Sequence, residues 1–168
     1  MIVVCSLARL SETVKSHGAS HVITLLADRD KVFCPEGVEK ENHLWLGMDD
    51  IASEIDGMTP PGEQHVIRLI EFLKGWDRKH PLVVHCFAGI SRSSAAAFIA
   101  ACVAEPEKDE AELARRIRAA SPTASPNPRL VALADRYLGR KGRMTKAIAE
   151  IGPGHMAYQA EPFVLVLD

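Results

Sequence analysis

The sequence contains no long run of apolar residues, and its charges are nearly balanced. No stretch approaches the length of a membrane span, and the N-terminus lacks the basic-then-apolar layout of a secretory signal. Twenty basic residues against 22 acidic ones give a net charge of −2. This balance leaves no electrostatic footprint for nucleic acid and no basic run for a membrane surface. The sequence therefore predicts a cytoplasmic protein with neither a nucleic-acid nor a membrane partner.

Paired cysteine motifs and histidine pairs on one helix face are also missing. His17 and His21 are four residues apart, but Gly18 ends the predicted helix between them, so the seven histidines include no i, i+4 pair on one helix face that could hold a metal. The absence of CxxC units argues against a zinc site and against a disulfide framework, so no metal is predicted. A reducing compartment would suit a reactive thiol among the four cysteines, which are Cys5, Cys34, Cys86 and Cys102.

Apolar residues make up 47% of the 168 positions, which is enough for one full core. Their periodicity alternates between the patterns of strands and helices, so we expect a single α/β domain over 1–168. Its central, mostly parallel sheet should be flanked by helices. The predicted strands are 2–5, 21–26, 43–48 and 81–84, and the predicted helices are 8–16, 61–76, 94–101, one after Asp109 that stops at Ser121, and 128–138.

The most informative segment runs from His85 to Ser93. A buried strand should precede it and a buried helix should follow it, so it forms a loop at the carboxyl end of a strand. Five residues separate Cys86 from Arg92, which lets the backbone curl so that its N–H groups face inward. Gly89 tolerates the tight curl, and the helix N-terminus adds partial positive charge. These features predict a phosphate-binding loop that carries a nucleophile.

Three side chains of this loop suit phosphoryl chemistry. Arg92 can grip two phosphate oxygens with its planar guanidinium fork. The positive field of the loop should favour the thiolate form of Cys86, which is the nucleophilic form. Ser93 can donate a hydrogen bond to the sulfur when it acts as a leaving group. If Cys86 were only a buried thiol of the hydrophobic core, Arg92 would have no role.

His-Cys, five residues, Arg and then Ser resemble the signature of the cysteine-dependent protein tyrosine phosphatases. The opening strand, helix and strand of the chain resemble the compact bacterial dual-specificity-like branch of that superfamily. The resemblance implies attack by Cys86 through a phosphocysteine intermediate, without a cofactor. It also implies that His85 orients the loop. The phosphoryl group would be held by Arg92 and by the amides of Phe87, Ala88, Gly89, Ile90 and Ser91.

Such a mechanism needs a general acid, which in this superfamily is an Asp on a loop upstream of the nucleophile. Asp50 follows a predicted strand end, as the acid does in the compact branch, and is the preferred candidate. Asp56 is the alternative because it precedes Gly57 and two prolines, a pattern found in some members. For each of these two residues, a solvent-exposed loop carboxylate without a catalytic role is about as good an explanation as a general acid.

Asn127 occupies the position of an asparagine that lies close behind the phosphate loop in the family. It also precedes Pro128, so it can cap a helix, and both roles can hold together.

The loop between Cys86 and Arg92 has no lysine, which disfavours a polyphosphoinositide substrate. The short chain also lacks a counterpart of the recognition loop that deepens the pocket of large tyrosine-specific phosphatases. A shallow pocket should accept phosphotyrosine, and also phosphoserine or phosphothreonine, in a protein or peptide. Two alternatives remain open, a phosphate-binding module without turnover and a phosphatase of a small phosphorylated metabolite. The resemblance covers about 1–139 and assigns no role to the extension 140–168, nor an oligomeric state.

Overall fold

The computed structural model describes all residues from 1 to 168 and contains five strands and six α-helices. Short 3₁₀ turns at Leu7–Arg9, Arg29–Lys31 and Lys40–Asn42 join some of them. In chain order the elements are β1 (Ile2–Ser6), α1 (Leu10–His17), β2 (His21–Leu25), β3 (His43–Leu46), α2 (Glu63–Gly75), β4 (Leu82–Cys86), α3 (Arg92–Ala104), α4 (Glu110–Ala120), α5 (Pro128–Tyr137), α6 (Arg143–Ile151) and β5 (Phe163–Leu165).

One sheet organises the molecule, with the strand order β3-β2-β4-β1-β5. The first four strands of this order are parallel, and β5 is antiparallel to β1. Strands β1 and β4 are buried along their whole length, which explains why they read as continuous apolar runs rather than as alternating ones. The predicted α/β domain with a mostly parallel sheet is confirmed.

The two faces of the sheet are covered unequally. Helix α1 packs on one face, where Leu10 and Val14 join Val3, Val22 and Val83 in a small cluster. The opposite face carries the main core, to which α2 to α6 contribute. Its centre is α3, whose residues from Ser93 to Cys102 are all buried. Alanine at five of these positions lets neighbouring elements approach the helix closely.

Helix boundaries follow identifiable capping groups. Helix α1 ends at Gly18, which adopts a left-handed conformation. The side chain of Asp109 accepts a hydrogen bond from the amide of Glu112 and so caps α4. Helix α5 begins with Pro128 after an Asn127 cap. The helix predicted at 8–16 is a 3₁₀ turn followed by α1, and the strand predicted at 43–48 ends two residues earlier, at Leu46.

Residues 140–168 pack on the same core as the rest of the chain. Met144 and Ala147 of α6 and Phe163 and Leu165 of β5 belong to the main hydrophobic cluster. The buried carboxylate of Asp135 accepts hydrogen bonds from three amides at the start of α6. Strand β5 then forms an edge of the sheet beside β1.

None of the helices is both long enough and apolar enough to cross a bilayer. The four parallel strands end at one edge of the sheet, so the segments that follow them meet there. These segments include 26–42 after β2, 47–62 after β3 and 87–91 after β4. The predicted site residues lie in or next to them.

Candidate active site

The loop between β4 and α3 surrounds the sulfur of Cys86, whose residue is only 2% exposed. The sulfur lies 3.1 Å from Oγ of Ser93, and the amide of Gly89 donates to it at 3.3 Å. The amide of Gly89 places a polar hydrogen against the sulfur, and the hydroxyl of Ser93 is positioned to do the same. The thiol is therefore in the surroundings that a nucleophilic cysteine needs.

Four of the five carbonyl groups of the loop 87–91 are bound from outside the loop. Each of these four accepts from an amide of a surrounding segment, whereas the amides of Phe87, Ala88, Ile90 and Ser91 donate to no backbone carbonyl. Inward-facing N–H groups form an anion-binding concavity, as the sequence spacing suggests. The bonds that hold the carbonyls are Leu7 N to Phe87 O, Ala160 N to Ala88 O, Ser125 N to Ile90 O and Asn127 N to Ser91 O.

Gly89 is the one loop position where a side chain cannot fit. Its φ is +75°, and a Cβ atom there would lie 2.9 Å from the carbonyl carbon of Cys5 and from the nitrogen of Ser6. Both of those atoms belong to the backbone of β1, so neither can rotate away. The loop can therefore curl this closely against β1 only with glycine at this position.

Arg92 begins α3 and is partly buried. One terminal nitrogen, Nη1, donates to the carbonyl oxygen of Met48 at 2.9 Å. The Nε nitrogen is buried and has no acceptor in the chain. Because a buried N–H without an acceptor is costly, an anion that accepts from it would be stabilised.

Asp50 lies at the edge of the phosphate loop. Its Oδ1 accepts a hydrogen bond from Oγ of Ser91 at 2.7 Å and another from Nδ2 of Asn127 at 2.9 Å. Its Oδ2 has no partner. Asp49 instead ties its own loop together, because its carboxylate accepts from the amide of Thr59. The alternative candidate, Asp56, is exposed and makes no hydrogen bond or ion pair.

Asn127 performs both of the functions that the sequence allows. Its Oδ1 accepts from the amide of Leu130 and caps α5 at 3.0 Å. Its Nδ2 reaches Asp50 and, at 3.3 Å, the carbonyl oxygen of Ile51. Neighbouring groups bury the residue, of which only 2% is exposed. It links the position of Asp50 to the start of a core helix.

His85 is buried next to Cys86 and connects its backbone carbonyl to a chain of hydrogen-bonded side chains. Its Nδ1 lies 3.3 Å from the carbonyl oxygen of Cys86, and its Nε2 lies 2.7 Å from Oγ1 of Thr24. That hydroxyl also lies 2.8 Å from Nε2 of His43. Burial lowers the pKa of His85 to about 4, so the ring is neutral at pH 7. Burial also lowers the pKa of His43.

The neutral state of His85 determines which atom donates in each hydrogen bond of this series. Since Nδ1 faces a carbonyl oxygen it must carry the proton, and Nε2 must then accept from the Thr24 hydroxyl. That hydroxyl in turn accepts from Nε2–H of His43. The chain therefore runs from His43 through Thr24 and His85 to the Cys86 carbonyl, and it holds the imidazole in one orientation.

Two further segments contact the loop, namely the one that follows β2 and the C-terminal extension. Phe87 of the loop is 57% exposed, and the ammonium group of Lys31 lies 5.5 Å from its ring centroid. In the extension, Ala160 donates its backbone N–H to Ala88 at 2.9 Å. Ala160 thus lies directly beside the loop.

The structure brings together Cys86, Ser93, Arg92, Asp50 and Asn127, and it leaves Asp56 in an exposed turn without partners. Sequence reasoning missed Thr24, His43 and Ala160. Thr24 had a detectable signal, since it is a polar residue within the apolar strand 21–26, and its Cα partner in the parallel β2–β4 pair is His85. No sequence signal connects Ala160 with the loop.

A family model described as protein-tyrosine phosphatase matches residues 55–125, which include the phosphate loop. A search of curated proteins finds no significant match.

Solved structures share the fold. Human DUSP28 superposes with a TM-score of 0.63 at 19% identity, covering 83% of this chain and 89% of its own. PTP-2 phosphatase of Cydia pomonella gives 0.59 at 16% identity, with coverage of 80% and 84%. PTPMT1 in complex with PI(5)P gives 0.57 at 18% identity, with coverage of 89% and 94%. At these identities the likeness concerns the fold.

Proposed function

We propose that this chain is a member of the cysteine-dependent protein tyrosine phosphatase superfamily, as the family model over 55–125 and the shared fold support, and that it removes phosphate from phosphotyrosine in proteins or peptides. Phosphoserine and phosphothreonine are further substrates that a shallow pocket admits. The observation that carries the proposal is the position of Asp50. Ser91 and Asn127 hold its carboxylate at the rim of the loop that encloses the Cys86 sulfur.

In the first step, the thiolate of Cys86 attacks phosphorus in line with the leaving oxygen. The P–O bond to tyrosine breaks, and Asp50 gives its proton to that oxygen. Both hydrogen bonds to Asp50 end on Oδ1, so Oδ2 is the oxygen free to carry the proton. The product of this step is a phosphocysteine and a neutral phenol.

In the second step, water attacks the phosphorus of the phosphocysteine. Asp50, now ionised, takes a proton from that water, and the P–S bond breaks to release inorganic phosphate. Ser93 lies 3.1 Å from the sulfur and donates a hydrogen bond that stabilises the departing thiolate. The reaction consumes one water molecule and needs no cofactor.

The amides of 87–91 and the guanidinium of Arg92 hold the equatorial oxygens of the phosphoryl group in both steps. The buried Nε of Arg92 has no acceptor within the chain, and an oxygen of the bound phosphoryl group would accept its hydrogen bond. Because the active thiol must stay reduced, we propose the cytoplasm as the working compartment.

The two alternatives differ from this proposal in measurable ways. A phosphate-binding module would bind phosphate without turnover. A phosphatase of a small metabolite would turn over its own substrate and leave phosphopeptides intact. PI(5)P occupies PTPMT1, but the loop of this chain lacks a lysine that would hold additional phosphates.

The test is hydrolysis of an aryl phosphate by the wild type and by Cys86→Ser, in a reducing buffer with a chelator at pH 5 to 7. We expect turnover only with the thiol present, while the variant still binds tungstate through the amides and Arg92. Appreciable turnover by Cys86→Ser would refute the nucleophile assignment. Tungstate binding without turnover in the wild type would favour the binding module.

A further inference from the structure

Residues 152–162 form a fixed segment beside the phosphate loop. At one end, the amide of His155 donates to the carbonyl of Pro122 at 2.9 Å. At the other end, Ala160 donates to Ala88 at 2.9 Å, and Arg9 pairs with Glu161 at 3.3 Å. These bonds anchor the segment on both sides of its exposed middle part.

The middle part of this segment presents two large apolar side chains to solvent. Met156 and Tyr158 are 101% and 102% exposed, although the backbone on either side of them is held in place. Ala160, two residues after Tyr158, is 2% exposed and contacts the loop. Exposed apolar side chains in a segment that contacts a binding site can contribute to a surface that contacts a partner.

We propose that Met156 and Tyr158 bind the residues that flank the phosphorylated residue of a peptide substrate. We call the segment 152–162 the docking wall. The inference rests on the proposed function, since it concerns the substrate of that site. Phe87, which is 57% exposed, adds a third exposed apolar side chain on the loop itself.

The charges around the site favour a peptide over an anionic lipid surface. The acid loop 47–62 carries four carboxylates and no lysine or arginine, and the docking wall adds Glu161. Lys31 beside Phe87 and Arg9 beside Glu161 offset part of this charge, but segment 26–42, which contains Lys31, holds five carboxylates against three lysines and arginines. A cytoplasmic leaflet is negatively charged and attracts basic surfaces, so this rim would be repelled. A peptide with basic and apolar residues beside its phosphorylated residue is complementary to both features.

The experiment compares the wild type with the double variant Met156→Ser/Tyr158→Ser. Both positions are fully exposed, so the substitutions should not disturb folding. Three substrates are used: an aryl phosphate, a phosphotyrosine peptide flanked by leucine and lysine, and the same peptide flanked by serine and glutamate. The control variant is Tyr137→Ser/Val166→Ser, which removes exposed apolar groups outside the docking wall.

For the leucine-lysine peptide, we expect the ratio of its kcat/KM to that of the aryl phosphate to fall about tenfold in the double variant, through a higher KM. The control should keep the wild-type ratio. The wild type should prefer the leucine-lysine peptide to the serine-glutamate peptide, and this preference should weaken in the double variant. An unchanged ratio, or an equal loss with all three substrates, would overturn the proposal.

Two further measurements separate this inference from the proposed function. Vesicles that contain PI(5)P test the lipid alternative, and hydrolysis of them that depends on Met156 and Tyr158 would overturn the peptide assignment. Binding of the labelled peptide to Cys86→Ser needs no turnover. If the wild type failed to hydrolyse aryl phosphate, the proposed function would fail. Weaker peptide binding by Cys86→Ser/Met156→Ser/Tyr158→Ser than by Cys86→Ser would still support the docking wall.

Discussion

Replacing Gly89 with alanine should disturb both the stability and the chemistry of this chain. Two costs add at this position. The left-handed backbone, with φ of +75°, costs a residue with a Cβ roughly 1–2 kcal/mol. The new methyl group would also lie 2.9 Å from two backbone atoms of β1. Relief of such overpacking costs roughly 1–3 kcal/mol, so the total is about 2–5 kcal/mol.

Gly18 provides a matched control. Its φ is +59°, but a Cβ there would meet nothing within 4 Å. Gly18→Ala therefore carries the backbone cost without the clash. Thermal or urea unfolding of both variants should show the larger loss for Gly89→Ala, with a Tm lower than that of wild type by roughly 5–15 °C. The difference between the two variants measures the close approach of the loop to β1.

The kinetics of the same two variants test the functional part of the argument. In Gly89→Ala the loop must shift away from β1, which moves the amide that lies 3.3 Å from the Cys86 sulfur. We expect turnover of an aryl phosphate to fall at least tenfold, whereas Gly18→Ala should retain it. Equal stability losses in the two variants, together with wild-type turnover by Gly89→Ala, would refute the reasoning.

Three other predictions concern single side chains of the site. Arg92→Lys should lower kcat about a hundredfold or more, because an ammonium group cannot form the bidentate contact, and steady-state kinetics measure the loss. Asp50→Ala should lower kcat most for substrates with poor leaving groups, whereas Asp56→Ala should match the wild type, as a series of aryl phosphates can show. The His85 ring has a pKa of about 4 when folded and near 6.5 when unfolded, so the unfolded state binds more protons between these values. The free energy of unfolding should therefore fall by up to about 1.4 kcal/mol per unit as pH drops from 6.5 to 4, and urea titrations should show a weaker dependence in His85→Gln.

Each of these predictions has a contrary outcome. Near-normal kcat in Arg92→Lys would make the guanidinium structural. A leaving-group effect confined to Asp56→Ala would transfer the acid role to that residue. Identical pH slopes for His85→Gln and the wild type would mean that other groups, such as the carboxylates, account for the acid sensitivity.

Much of the fold could be predicted from the sequence because its parallel strands are short apolar runs bounded by turn residues. The strand before Cys86 and the helix after Arg92 are examples, since burial on both faces leaves a continuous apolar signal. The chemistry of the loop was equally accessible, because a thiol, a glycine and a guanidinium occur at fixed spacing within one segment.

The rest depended on contacts between distant residues, which local patterns do not encode. Asp50 and Asp56 look alike in sequence, and only the position of Ser91 and Asn127 distinguishes them. The apolar run 163–167 carries no local signal for a partner strand, and only the structure shows that it pairs with β1. Ala160 is a small residue with no chemical signal, and its contact with the loop is made by backbone atoms alone.

The pairing of β1 with β5 has a consequence for the order in which the chain folds during synthesis. Ile2 lies opposite Leu165, so β1 is synthesised before the other strands of this sheet and its partner β5 after all of them. Until then β1 has an open edge that another chain can pair with. Contacts between residues so far apart in sequence also slow folding. Nascent or C-terminally clipped chains should therefore depend on chaperones more than the finished protein does.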